Sequence, residues 1–94
     1  MVAFDLGPKF SLGQIVITPN AMQHLGQDDI IGALRRHSRG DWGEMDAHDQ
    51  NENELSVKAG FRILSAYRAS NGTKFWIITE ADRSATTILL PEDY

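Results

Sequence analysis

Residues 61–94 read FRILSAYRASNGTKFWIITEADRSATTILLPEDY, and this stretch decides the fold class. Phe61 to Ala69, Lys74 to Glu80 and Ala85 to Leu90 are each rich in β-branched and aromatic residues, the composition of strands. Ser70-Asn71-Gly72-Thr73 lies between the first two, and its Asn-Gly pair supplies the positive φ of a tight hairpin. Ala81-Asp82-Arg83-Ser84 turns the chain into the third, with Asp82 placed to bond back to the backbone. The result is a three-stranded antiparallel meander. Leu64, Trp76, Ile78 and Leu89 alternate with Ile63, Phe75, Ile77 and Ile88, so both faces of the sheet carry apolar residues. Cover for the second face is expected from an N-terminal arm or a second subunit.

Upstream of the meander, GDWGEMDAHDQNENE places Asp41, Glu44, Asp46, Asp49, Glu52 and Glu54 together without a Lys or Arg among them. Asp46 followed three residues later by Asp49 resembles a helix cap, and Ala47, Leu55 and Ala59 fall near one face of a helix that ends at Gly60. A mostly solvated helix is the expectation. Before it, Asp28 or Asp29 suits a helix start, Ile30, Ile31 and Leu34 form an apolar stripe, and Arg35, Arg36 and Arg39 lead to a stop at Gly40. Earlier still, Thr18 is placed to cap a short helix with Pro19 at its first position, carrying Ala21, Met22 and Leu25. The β-branched run LGQIVIT from Leu12 predicts a strand that feeds it. Residues 1–11 read as an arm lying on the domain, tied down by Phe4, Leu6 and Phe10. A strand, two to three helices and a meander define an α+β fold with helices packed on one sheet face, in a single domain over residues 1–94.

With 94 residues and 41% hydrophobic composition, the chain is long enough for one core. Nine basic residues against 13 acidic ones give a net charge of -4, which repels nucleic-acid phosphates unless basic residues gather locally. The absence of cysteine excludes disulfides and thiolate metal sites, and no apolar run approaches the roughly 20 residues that span a bilayer. The start lacks the basic and apolar segments of a secretory signal, so a cytoplasmic location is expected. His24, His37 and His48 form no metal-ligand spacing, and no cofactor is expected. His37 is read as a partner of its helix C-terminus. Arg35, Arg36, His37 and Arg39 are read as helix-end cations that pair with the acidic stretch.

Three functional readings follow. In the first, Asp41, Trp42, Glu44, Asp46 and Asp49 form a protein-binding surface, the acids matching a basic partner and Trp42 either anchoring that partner or pinning its own loop over the sheet. In the second, Arg68, Arg83, Tyr67, Glu80 and His24 support metal-independent cleavage of RNA, with Arg steadying the charged transition state and a carboxylate, Tyr or His moving protons. Arg-Glu and Thr-Thr pairs across strands are also ordinary sheet stabilisers. In the third, the chain is a structural homodimer joined through an exposed edge at Ala85 to Leu90.

GDWG and ITEADRSATTILLPEDY, with RILSAYR and GTKFWIITE between them, resemble a family of short bacterial proteins carried on plasmids and other mobile elements; the resemblance runs from Leu12 to Tyr94. It implies a mobile-element setting and no particular chemistry. The order of IVITPNAMQHL, a helical segment, FRILSAY, KFWIITE and TTILLP is also similar to that of RelE-like and barnase-type ribonuclease toxins. That likeness implies topology. The acidic insertion and net charge of -4 depart from the basic surface of such toxins, and no catalytic residue is carried over from them.

Overall fold

The computed structural model describes residues 8–94. The chain runs β1 (Gln14–Ile17), α1 (Pro19–His24), α2 (Gln27–Ser38), α3 (Ala47–Ala59), β2 (Ile63–Arg68), β3 (Lys74–Thr79), β4 (Ala85–Leu89) and a 3-10 turn over Pro91–Asp93. The expected arm falls outside the described residues from 1 to 7, Phe4 and Leu6 included; Phe10 lies within them.

β2, β3 and β4 form the antiparallel meander, and β1 pairs parallel to β4, giving a mixed sheet in the order β1-β4-β3-β2. Gly72, at φ 90, turns the first hairpin between Ala69 and Thr73, whose backbones bond at 2.8 Å. Asp82 accepts the Ser84 N–H at 3.0 Å in the second turn, as its position predicts. Because β1 shields β4, Ala85 to Leu90 is an internal strand, and the expected homodimer edge is corrected: among the described residues, β1 is the outermost strand on that side.

The caps explain where the helices start. Thr18 accepts the Ala21 N–H at 3.1 Å with Pro19 in the first turn, and Asp46 accepts the Asp49 N–H at 2.8 Å. α2 starts one residue before its acids, with Gly26 as its cap and Asp28 and Asp29 in the first turn. α1 and α2 cover one sheet face: Ala21, Leu25 and Ala33 pack with Tyr67, Phe75, Ile77, Ile88 and Leu90, and Ile17, Ile30 and Leu34 close the margin. On the other face, Tyr94 stands edge-on to Trp76 at 5.8 Å between ring centroids.

The β2 edge is closed by the segment that leads into α3. Trp42 O accepts the Ala66 N–H at 3.1 Å, and the Glu44 N–H donates to Ala66 O at 2.7 Å, so Trp42 to Glu44 act as a fragment of a fifth strand. One step along, Asn53 of α3 donates to Leu64 O at 2.7 Å and accepts the Leu64 N–H at 3.3 Å. A single side-chain amide thereby replaces a neighbouring strand. α3 buries only Asn53 and Ser56 and leaves Leu55 55% exposed, so the apolar face expected of Ala47, Leu55 and Ala59 is not what seats it.

Candidate functional site

Each acid of the GDWG loop has an internal partner. Asp41 forms a two-pronged pair with Arg36 at 2.7 and 3.1 Å, and that hydrogen bond holds its carboxyl below the usual carboxylate range. It also accepts the Gly43 N–H at 3.3 Å. Glu44 pairs with Arg68 at 3.2 Å. Gly43, at φ 78, must remain glycine because a Cβ there would run into the Ala66 carbonyl oxygen. Trp42 is 3% exposed, with its ring 6.1 Å from Phe10 in a stacked arrangement and its Nε1–H donated to Glu54 at 3.1 Å. Trp42 therefore pins the loop, and the reading in which it presents its indole to a partner is corrected. Of the expected partner-binding set, Asp49 lies exposed on the first turn of α3, Asp46 caps that helix, and Asp41 and Glu44 are exposed but paired.

The ribonuclease set is not brought together. Arg68 and Lys74 face each other at one end of the β2-β3 ladder, whereas Glu80 and Arg83 follow the other end, about 17 Å away for a six-residue strand. Tyr67 is buried, donates its hydroxyl to Asp41 O at 2.6 Å, and has its phenol pushed up to about 12 by burial, so it moves no proton near neutrality. Arg83 serves as a clamp, donating to Ser56 O at 2.8 Å, Phe61 O at 2.7 Å and Glu80 O at 3.1 Å. His24 contacts Asn20 O at 2.8 Å within α1. A set divided between the two ends of the β2-β3 ladder does not converge on one reacting atom.

The residue that sequence reasoning misplaced is His37. It is fully buried, and its side chain points into the helix-covered sheet face, bonded to Ser65 Oγ through Nδ1 at 2.5 Å and to Thr79 Oγ1 through Nε2 at 2.8 Å. Thr79 and Thr86 hydroxyls lie 2.7 Å apart, and Thr86 donates to Leu12 O at 2.7 Å. That last bond orders the whole chain of protons. Thr86 has given its hydrogen to a carbonyl, so it accepts from Thr79; Thr79 then accepts from His37 Nε2–H, and Nδ1 accepts from Ser65. Every atom is satisfied with a neutral imidazole, and burial, aided by the Arg83 charge, pushes the His37 pKa down to about 4. Phe10 stands edge-on to the ring at 5.3 Å and Trp42 at 5.9 Å, sealing the Ser65-His37 pair from solvent. The signal was present in the alternation. Ser65, Thr79 and Thr86 fall on the same inward face as Ile63, Tyr67, Phe75, Ile77 and Ile88, where polar side chains demand a common partner.

The cations at the end of α2 divide. Arg36 pairs with Asp41, as expected, whereas Arg35 and Arg39 line a cleft of about 780 Å³ with Lys9. Among the described residues, no group of His, Asp and Glu is arranged to hold a metal ion. No helix among them is long and apolar enough to cross a membrane. The chain matches no family model, no curated protein and no solved structure.

Proposed function

We propose that this is a small cytoplasmic accessory protein that binds a basic protein partner through the outward face of α3 and so regulates or inhibits it. One observation carries the reading: α3 is a 13-residue helix whose fully buried side chains, Asn53 and Ser56, are both polar, with Val57 half-buried. Amphipathic helices ordinarily dock by an apolar stripe. This one is held by Asn53 on Leu64, by Glu54 on Trp42 and by Arg83 at its C-terminal end, so its outer surface is free of any packing role. That surface carries Glu52, the exposed Leu55 and Lys58, with Asp49 exposed on the first turn and Phe61 exposed just beyond the helix. An exposed apolar residue beside Glu52, on a helix whose exposed side chains are mostly acidic or neutral, suits a partner with a basic face, including the face of a nucleic-acid-binding protein. The resemblance of GDWG and ITEADRSATTILLPEDY to plasmid-borne proteins supports a setting on a mobile element, where such a partner would belong to a host or plasmid system.

The test is capture by tagged protein at low and high salt, with heparin as a competitor for the partner's basic face. The expected result is one stoichiometric protein released by salt and by heparin, and lost when Asp49→Lys, Glu52→Lys and Leu55→Ser are combined. Retention of that partner by the folded triple variant would overturn the reading.

A further inference from the structure

Three cations line the cleft beside the last turns of α2. Lys9, Phe10, Ser11, Arg35, Ser38 and Arg39 contribute to its wall, and among the described residues no carboxylate does. The Lys9 N–H donates to Ser38 O at 2.7 Å, which fastens Lys9 beside the end of α2, and a Cβ on Gly40 would stand 3.0 Å from Lys9 Nζ. Arg35 in the last turn of α2 and Arg39 at its C-cap are four residues apart and both line the cleft. Among the described residues, these three cations join no ion pair, as Lys58, Arg62, Lys74 and Arg83 also do not, whereas Arg36 and Arg68 each have a carboxylate. Ser11 Oγ accepts the Gly13 N–H at 3.4 Å and so keeps its own proton to donate, while the Ser38 hydroxyl is already given to Arg35 O at 3.0 Å.

Cations at a helix C-terminus ordinarily answer the macrodipole, which amounts to about half a negative charge. Arg36 with Asp41 is a neutral pair, and three further full charges exceed that demand severalfold. We propose that the cleft binds a small organic phosphate, with the phosphate held by Lys9, Arg35 and Arg39 and by the Ser11 hydroxyl, and the organic part against Phe10. A volume of about 780 Å³ is in the range of small-molecule sites and is more than a bare phosphate fills. A long polyanion is disfavoured, because three cations line the cleft on a chain whose net charge is -4. The cleft shares no residue with α3, so this site and the partner surface stand or fall separately.

The experiment is an NMR titration of backbone amides with adenosine monophosphate, glycerol phosphate, inorganic phosphate and a series of single-stranded oligonucleotides. At least one of the two organic esters is expected to give saturable shifts confined to residues 9–13 and 35–40, and to bind more tightly than inorganic phosphate. Arg35→Gln with Arg39→Gln is expected to weaken that binding about tenfold for each cation removed, Lys9→Gln alone about tenfold, and Arg68→Gln not at all. Both arginines and Lys9 are exposed, so the variants retain the fold. Shifts that never saturate with either ester, equal affinity for inorganic phosphate, equal weakening by Arg68→Gln, or oligonucleotide binding that tightens with length would each overturn the assignment.

Discussion

His37 and Arg83 show how single side chains set the conditions under which this molecule is stable. The unfolded chain presents an imidazole near 6.5, while the folded one holds His37 at about 4. Between those values the unfolded state takes up the proton first, so the stability that the neutral His37 contributes is present above pH 6.5 and lost as pH falls toward 4. The loss is on the order of 3 kcal/mol. Asp41, Asp82 and Asp93 are held below their ordinary value of 3.8, by hydrogen bonds from Arg36, Ser84 and Thr18 respectively, so what they contribute disappears only at lower pH. Denaturant melts of wild type and His37→Gln across pH 7 to 4 should therefore converge as the wild type weakens; parallel curves would contradict a neutral buried His37. Arg83 has a φ of 61 and three carbonyl partners. Arg83→Ala loses the clamp and keeps the strained backbone, whereas Arg83→Gly loses the clamp and relieves it. Chemical denaturation should find the glycine variant more stable than the alanine variant by about 1 kcal/mol.

At the level of elements, the contrast between α2 and α3 says how far a sequence can be read. α2 was legible because Ile30 and Leu34 sit at helical spacing and do pack on the core. The meander was legible because its turn residues are diagnostic. α3 was legible as a helix from Asp46 and Gly60, yet its seat was not, since nothing in the pattern reveals that Asn53 will meet the edge of β2. An amide pairing with a strand backbone has no periodicity. The parallel strand β1 was legible as a strand but not in its pairing, and placing it beside β4 is what turned the supposed open edge into an interior one. Asn53→Ala should remove both bonds to Leu64 and cost about 2 kcal/mol. Amide exchange at Leu64 should accelerate with it, ahead of exchange at Ile77 in the middle of the sheet; protection unchanged at Leu64 would mean that α3 is held by something else.

For the molecule as a whole, the two sides of the sheet are finished differently. The β2 side is closed by the GDWG loop and Asn53, whereas β1 leaves Ile15 and Val16 45% and 40% exposed and carries no charge between Gly13 and Thr18. Charged residues are the usual guard on an edge strand. Ile15→Lys should leave folding stability within about 1 kcal/mol, since the side chain is nearly half solvated, while raising the yield on refolding at high concentration. An unchanged refolding yield would show that β1 is not the aggregating edge. β1 also joins distant parts of the chain, with Gln14 beside Ala85 and Thr18 bonded to Asp93 at 2.7 Å. Translation must add about 70 residues after β1 before its partner exists, and at about 5 to 20 residues per second that is a wait of roughly 4 to 14 s. During that interval the uncharged GQIVIT segment leaves the ribosome with no strand to receive it, which makes it the stretch of the nascent chain on which a chaperone would act first.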